Sequence, residues 1–306
     1  MSIDLFIEQL FNGLGYGFML FLLAAGLTLV FGVMDTFNLG HGTLFMLGAF
    51  IGATVHEHTG SFLLAVGAAV VGVALIALVL ERLLMKRLYA ASHLTQVIAT
   101  LGIILIAEDV VKATWGSASL SAPTPEALRG PVYLMADWPY PSYRLLILAA
   151  GLATAGALYL LVNKTRLGML VRAGASNRQM AELMGVRVQG VFALVFVISA
   201  ALAGLAGVLM SPVTAVVNGM GESILVPALV VIVIGGIGSV RGAFIAALAV
   251  GLVETSGRAF LPPLLKQFLE PAVAADIGSA AAGILMYLLM AVVLSVRPTG
   301  LFAARG

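Results

Sequence analysis

Few residues in this 306-residue chain are of types that do chemistry, and their spacing excludes most soluble catalysis. His56-Glu57-His58 sets its two imidazoles too close in sequence, because a zinc protease helix needs them one turn apart. Gly278-Ser279 offers a hydroxyl within an apolar run, but a serine nucleophile needs a base within reach. All 4 histidines (His41, His56, His58, His93) lie in the first third of the chain. There is no Gly-Lys pair for a phosphate-binding loop, and with 0 Cys there is no thiolate metal site, cysteine nucleophile or disulfide. What remains is a small set of polar groups inside apolar runs. They are Thr28, Asn38 and His41, then Gln96, Thr100, Glu108 and Asp109, then Asn218 and Glu222, and finally Glu254. A charge at the bilayer centre costs roughly 2.5 to 3.5 kcal/mol on insertion scales, so such groups persist where protein or water surrounds them. Glu254, preceded by the uncharged stretch Gly242 to Val253, is expected to be protonated, paired or facing a cavity. The plainer alternative is a glutamate at a helix end bonded to nearby backbone.

The elements that must position these groups are set by composition. The chain is 61% hydrophobic and 10% charged with a mean hydropathy of +1.10, whereas a soluble domain carries about 25% charged residues. Its surface must face lipid. Nine apolar runs approach the roughly 20 residues a helix needs to cross the hydrocarbon core: Gln9 to Val33, Asn38 to Val55, Ser61 to Leu80, Leu94 to Val111, Arg144 to Val162, Gly190 to Met210, Ser223 to Gly238, Gly242 to Gly257, and Asp276 to Val296. The expectation is an all-α polytopic membrane protein, one transmembrane domain over 1–306, with short or broken helices. Arg82 is the first basic residue, so the amino terminus lacks the basic region of a signal peptide and the first segment is expected to be retained. With that terminus outside, the carboxyl terminus and most of the 16 Lys and Arg lie on the cytoplasmic side, among them Arg82, Lys86, Arg87, Lys164, Arg166, Arg172, Arg178, Arg187, Arg241, Arg297 and Arg305. Lys112, Arg129, Arg144, Arg258 and Lys266 fall outside, with acids such as Glu126 and Asp137.

Two connections stand out. Residues 112–143 hold Trp115, Trp138 and the prolines 123, 125, 131, 139 and 141, which make a stiff extracytoplasmic loop. It suits docking of an extracytoplasmic partner or anchoring of its aromatics among lipid headgroups. Residues 163–189 form a basic cytoplasmic loop, in which Ser176-Asn-Arg-Gln179 fits a capping box and Gly185 a helix stop. The short helix between them, Asn177 to Met184, puts Met180, Leu183 and Met184 on one face, and Ala181 and Gly185 on an adjacent bare one. It is expected to pack on another surface, a protein or the lipid headgroups.

Glycines punctuate the spans. Gly235-Gly-Ile-Gly-Ser-Val-Arg-Gly242 breaks helix at Gly235, Gly236, Gly238 and Gly242, and Phe37-Asn-Leu-Gly-His-Gly42 does so at Gly40 and Gly42. Paired interruptions in two halves are the sequence sign of a transport site at a repeat interface. Small residues four apart, such as Gly13 with Gly17 and Gly48 with Gly52, mark close helix contacts.

At these residues the chain resembles the LivH-type permease subunits of branched-chain amino-acid ABC importers. Three stretches carry the resemblance in family order: Gly26-Leu-Thr-Leu-Val-Phe-Gly-Val33 leading into Phe37 to Gly48; Arg172-Ala-Gly-Ala-Ser-Asn-Arg-Gln-Met-Ala-Glu-Leu-Met-Gly-Val186; and Val231-Ile-Val-Ile-Gly-Gly-Ile-Gly-Ser-Val-Arg-Gly-Ala243. Arg241, where the family favours Pro, and Gly40, where Ala commonly stands, depart from the pattern. The resemblance implies a permease in the bacterial inner membrane that pairs with a homologous second permease subunit, two cytoplasmic ATPase subunits and an extracytoplasmic solute-binding protein. It implies ATP on the partner subunits, with no cofactor, nucleic acid or enzymatic site on this chain. It makes Arg172, Ala173, Ser176, Met180, Ala181, Leu183, Met184 and Gly185 the ATPase-coupling segment. Asn38, His41, Gln96, Thr100 and Glu254 become candidate lining of the path. The competing reading is an ion-coupled secondary transporter with Glu254 as a proton or sodium site. Related permeases carry Leu, Ile and Val, urea and short amides, or aromatic acids, and the sequence does not choose among them.

Overall fold

The computed structural model describes residues 3–34, 36, 38–89, 91–133 and 139–302. Phe37, Asp137, Trp138 and Arg305 lie outside the described residues. The chain is mostly helical: α1 (Ile3–Met34), α2 (His41–Thr59), α3 (Phe62–Leu88, with a π-helical turn at Glu81–Met85), α4 (His93–Trp115), α5 (Ser142–Lys164), α6 (Arg166–Ser176), α7 (Arg178–Leu183), α8 (Val188–Met210), α9 (Met220–Gly235), α10 (Val240–Leu265) and α11 (Pro271–Val296). Among the described residues 7 helices, α1, α3, α4, α5, α8, α10 and α11, are long and apolar enough to cross a membrane. The second and seventh runs, as α2 and α9, are also helices, but α9 is short at 16 residues and α2 is interrupted by polar residues.

Boundaries differ from expectation where backbone groups find partners. α4 runs on through Trp115, whose Nε1 donates to Thr54 Oγ1 at 2.7 Å and whose ring packs on Phe50, so this tryptophan ties α4 to α2. The following loop carries a small antiparallel pair, β1 (Pro131–Tyr133) with β2 (Pro139–Pro141). Ser142 Oγ closes it onto α5 by donating to the Leu128 and Gly130 carbonyls. Residues 163–189 hold two helices rather than one, because Thr165 caps an additional α6 through its hydroxyl on the Gly168 N–H.

α1, α5 and α11 are similarly apolar, yet 94% of the most apolar stretch of α1 is buried, against 22% of α5 and 17% of α11. In lipid, apolarity does not select a centre; close packing does. α1 has it. A Cβ on Gly17 would come within 2.8 Å of the Ala247 carbonyl oxygen, and one on Gly251 would meet Gly13 and Gly17 at 2.5 to 2.6 Å, so α1 and α10 touch backbone to backbone.

The two halves of the chain pack in the same way with opposite sense. α1 runs antiparallel to α10, Gly13 against Leu252 and Gly17 against Leu248; α8 runs antiparallel to α3, Gly204 against Ala69 and Val73. α2 lies on α8 and α3 as α9 lies on α1 and α10, and α4 touches α2 as α11 touches α9. Exchanging α1–α4 with α8–α11 therefore carries these pairs onto each other. The main exception is α11, which packs extensively on α10 while α4 stands away from α3. Local chemistry repeats as well. Gly60-Ser61 leads into α3 and Gly238-Ser239 into α10, with glycine φ of 65° and 83°, and each serine oxygen accepts the N–H three residues on. The counterpart of the first break is thus the 211–219 segment before α9, while Gly235–Gly242 matches the turn between α2 and α3.

Candidate functional site

Three places gather the candidate residues. At one end, α6 folds back on α5 because Gly168 fits against the Leu161 and Val162 carbonyls, where any side chain would collide. Arg172 Nη1 donates to the Val162 carbonyl and holds the fold-back. Asn177, rather than Ser176, caps α7: its Oδ1 accepts the Met180 N–H at 2.9 Å, and Ser176 closes α6. Gly185 stops the helix at φ 85°, with Val186 N–H on the Ala181 carbonyl, a Schellman ending. Arg178 stacks over Phe192 and pairs with Glu182. The outcome is one-sided. Ala181 is buried in the protein core, whereas Met180, Leu183 and Met184 are 56%, 76% and 78% exposed. Gly185 lies open, and Arg172, Ala173 and Ser176 are on the surface.

The second place is the break between α1 and α2. Asn38, His41, Gln96 and Thr100 are all buried there or beside it. Leu39 N–H donates to Thr100 Oγ1 at 3.3 Å, which brings the break against α4. Gln96 Nε2 donates to the Leu88 and Ala91 carbonyls and so holds the α3–α4 turn. Asn38 Oδ1 makes no well-formed hydrogen bond among the described residues. The His41 ring lies beside the Leu23 backbone of α1. Gly42 and Gly221, the second residues of α2 and α9, meet so closely that a Cβ on either would strike the other's carbonyl oxygen. These two helices run in opposite directions with their N-termini abutting inside the bundle. Gly40 is helical at φ −66° and needs no glycine for its backbone. At the other end of α9, Gly235 meets Gly242, Gly236 and Gly238 take φ of 98° and 83°, and the Leu301 and Phe302 N–H groups satisfy the last carbonyls of α9 at Ile234 and Gly235. Arg241 lies over the Tyr159 ring of α5.

Glu254 belongs to neither. It lines a cavity of about 370 Å³ at the opposite end from α7, between α1, α5, the end of α8 and α10. Its Oε1 accepts from Arg258 Nη2 at 2.7 Å, one helical turn on, and its side chain is 6% exposed against 65% for Arg258. Oε2 is buried without a well-formed hydrogen bond among the described residues, and the Tyr16 phenol stands close by. Across the cavity Asn12 Oδ1 accepts from both Arg144 Nη1 and Tyr140 Oη. Burial pushes the Tyr140 phenol above its ordinary range, against the lowering pull of Arg144. Met19, Ile147 and Met210 supply an apolar wall.

The family model described as branched-chain amino acid transport system / permease component matches residues 9–295. The chain belongs to this family. The permease is 28% identical over 308 residues to the high-affinity branched-chain amino acid transport system permease protein LivH of Escherichia coli (strain K12), covering 97% of this chain and 95% of the relative. It is 29% identical over 317 residues to BraD of Pseudomonas aeruginosa, with the same shares covered, and 28% identical over 249 residues to a probable LivH of Methanocaldococcus jannaschii, with 78% of this chain and 77% of the relative covered. No solved structure matches it. It is a multi-pass membrane permease component rather than an enzyme.

Of the sequence-selected polar residues in this permease, four gather around the first break and Glu254 stands apart. The residues around Glu254 went unselected: Arg258, which pairs with it, Tyr16 beside it, and Asn12, Tyr140 and Arg144, which line the same cavity. Arg258 was legible, because a glutamate four residues before an arginine on one helix pairs. The others come from remote elements and carried no local signal.

Proposed function

We propose that this permease is the membrane subunit of an ATP-binding cassette importer that moves branched-chain amino acids or a related small polar solute across the bacterial inner membrane. The family match over residues 9–295 carries the reading. The reading includes nine crossings with the amino terminus outside and the carboxyl terminus cytoplasmic. α2 and α9 complete the count to nine, and their lengths of roughly 29 and 24 Å at 1.5 Å per residue approach the hydrocarbon thickness. Its partners are a homologous second permease subunit, two cytoplasmic ATPases that hold the ATP, and an extracytoplasmic binding protein. Closure of the ATPases pushes α7, and α6 transmits that push to α5 and α8, tilting the bundle so that a path opens alternately. What supports a docking role for α7 is its exposed apolar face of Met180, Leu183 and Met184 on a helix fixed at both ends. An ion-coupled carrier with Glu254 as its ion site gains no support, since that carboxylate is already paired with Arg258. Reconstituted vesicles decide. With all subunits and the binding protein, uptake is expected to require ATP; uptake by this chain alone on an ion gradient overturns the reading.

A further inference from the structure

We propose that water reaches membrane depth along the outside of this chain, over the face where α4 meets the start of α9, and that Glu108 and Glu222 give this stretch of the path a negative field that repels anionic groups. The proposal rests on the transport reading above and adds which face of the permease the solute meets and which charge is screened out there. Depth leads to it. His41 lies beside the Leu23 backbone, about 16 Å from the nearer end of α1 at 1.5 Å per residue, so α2 starts inside the hydrocarbon core. Gly221 abuts Gly42, and α9 therefore starts at that depth as well. Yet Glu222 and Ser223, in its first turn, are exposed on the surface of the chain. Glu108 of α4 reaches the same place: its Oε1 lies 3.7 Å from where a Cβ on Gly219 would sit, and the Glu222 N–H donates to the Gly219 carbonyl. Neither glutamate enters an ion pair among the described residues, and Lys112, one turn beyond Glu108, pairs with neither. An acid in the first turn suits the helix dipole, but a carboxylate turned to lipid at this depth is costly, so water has to reach it. The two breaks point the same way. Asn38 is 3% exposed, and its Oδ1, which flanks Gly40 together with Ile103 of α4, makes no hydrogen bond among the described residues. The Asn218 Oδ1, just before Gly219, is likewise buried without a partner. Buried amide oxygens of this kind need a donor, from water or from a passing solute. Acceptors alone thus line the stretch from Asn38 to Glu222, and acidic linings of this type favour cations and reject anions. This chain forms one wall of the path, and the second permease subunit of that reading forms the other.

The test uses the chain's 0 Cys, which lets a single thiol report its surroundings. Ser223→Cys is compared with Ile284→Cys, a 62% exposed position midway along the apolar α11, in open membrane fragments carrying the whole transporter. Two water-soluble methanethiosulfonates are applied, the cationic ethyltrimethylammonium and the anionic ethylsulfonate. Ser223→Cys is expected to react with the cationic reagent at least about tenfold faster than Ile284→Cys, because the reactive thiolate forms in water and not in lipid. Its cation-to-anion rate ratio is expected to exceed that of free mercaptoethanol by about tenfold, and to fall back toward it when Glu108→Gln and Glu222→Gln are added. Similar rates at Ser223→Cys and Ile284→Cys overturn the path face. A ratio equal to that of mercaptoethanol, or one unmoved by the two Gln substitutions, overturns the charge screen. The comparison of reagents with both glutamates in place stands whatever the Gln variants do to folding. An unreactive Ser223→Cys in a transporter that still takes up solute with ATP sinks this proposal and leaves the importer reading intact; uptake without ATP sinks the importer reading itself.

Discussion

Two glycines in the first break, only two residues apart, should behave in opposite ways. A Cβ at Gly42 strikes the Gly221 carbonyl oxygen, which is backbone and cannot swing aside; a Cβ at Gly40 meets the Asn38 and Ile103 side chains at 3.2 and 3.3 Å, which can give. Gly42→Ala and Gly221→Ala are therefore expected to destabilise the purified permease by roughly 1 to 3 kcal/mol, the usual cost of overpacking. Gly40→Ala should leave the unfolding midpoint near the parent value. A thermal scan of the three variants in one detergent checks this, and an equal drop in all three would mean the break is held by something other than the α2–α9 contact. At this scale the sequence was partly legible. Glu254 drew notice because a lone carboxylate after a long uncharged stretch must be paired or face a cavity, and it does both. That Gly42 meets Gly221, or that Asn12 faces Arg144, was not legible, since each contact joins segments more than a hundred residues apart and no local pattern names the partner.

At the scale of elements, α7 illustrates how a sequence can give the right helix and the wrong face. Its stop at Gly185 and the grouping of Met180, Leu183 and Met184 follow from local rules, but the cap moved one residue to Asn177 because Ser176 is consumed by α6. Ala181 turned inward because α7 packs back on the rest of the protein rather than lying free. The helix is 6 residues long, too short to hold itself without those supports. The docking reading then predicts a division of labour. Leu183→Glu with Met184→Glu should leave the permease folded and membrane-inserted while lowering ATP-driven uptake by at least about tenfold, as expected when an apolar interface anchor is replaced by charge. Ala181→Leu should lower the yield and unfolding temperature of the isolated permease first, because the side chain would enter a packed core. Uptake rates in vesicles and thermal scans of the purified chain separate the two; normal uptake in the double variant would remove α7 as the coupling element.

Over the whole molecule, the seven strongly apolar helices were visible as hydropathy, but their arrangement was not, because α1, α5 and α11 are similarly apolar and only one of them sits at the centre. Contacts between small residues decide that, and they are a property of pairs. The exchange of α1–α4 with α8–α11 explains why α2 and α9 look like weak spans: each starts inside the bundle, from an irregular segment, with its N-terminus against the other's, so neither needs a full membrane thickness of apolar residues. If both count as crossings, every loop has a fixed side, and the absence of cysteine makes this directly measurable. Single cysteines at Thr59, Glu126 and Lys266 should react with a membrane-impermeant maleimide from outside intact cells, and cysteines at Arg87, Arg178 and Arg297 only after the cells are opened. If α2 did not cross, Thr59 and Arg87 would trade accessibility while Arg178 and Arg297 kept theirs only through a compensating error elsewhere. Labelling at Thr59 and Arg87 is thus the pair that decides the count. A protected Thr59 with a reactive Arg87 would overturn the nine-crossing topology.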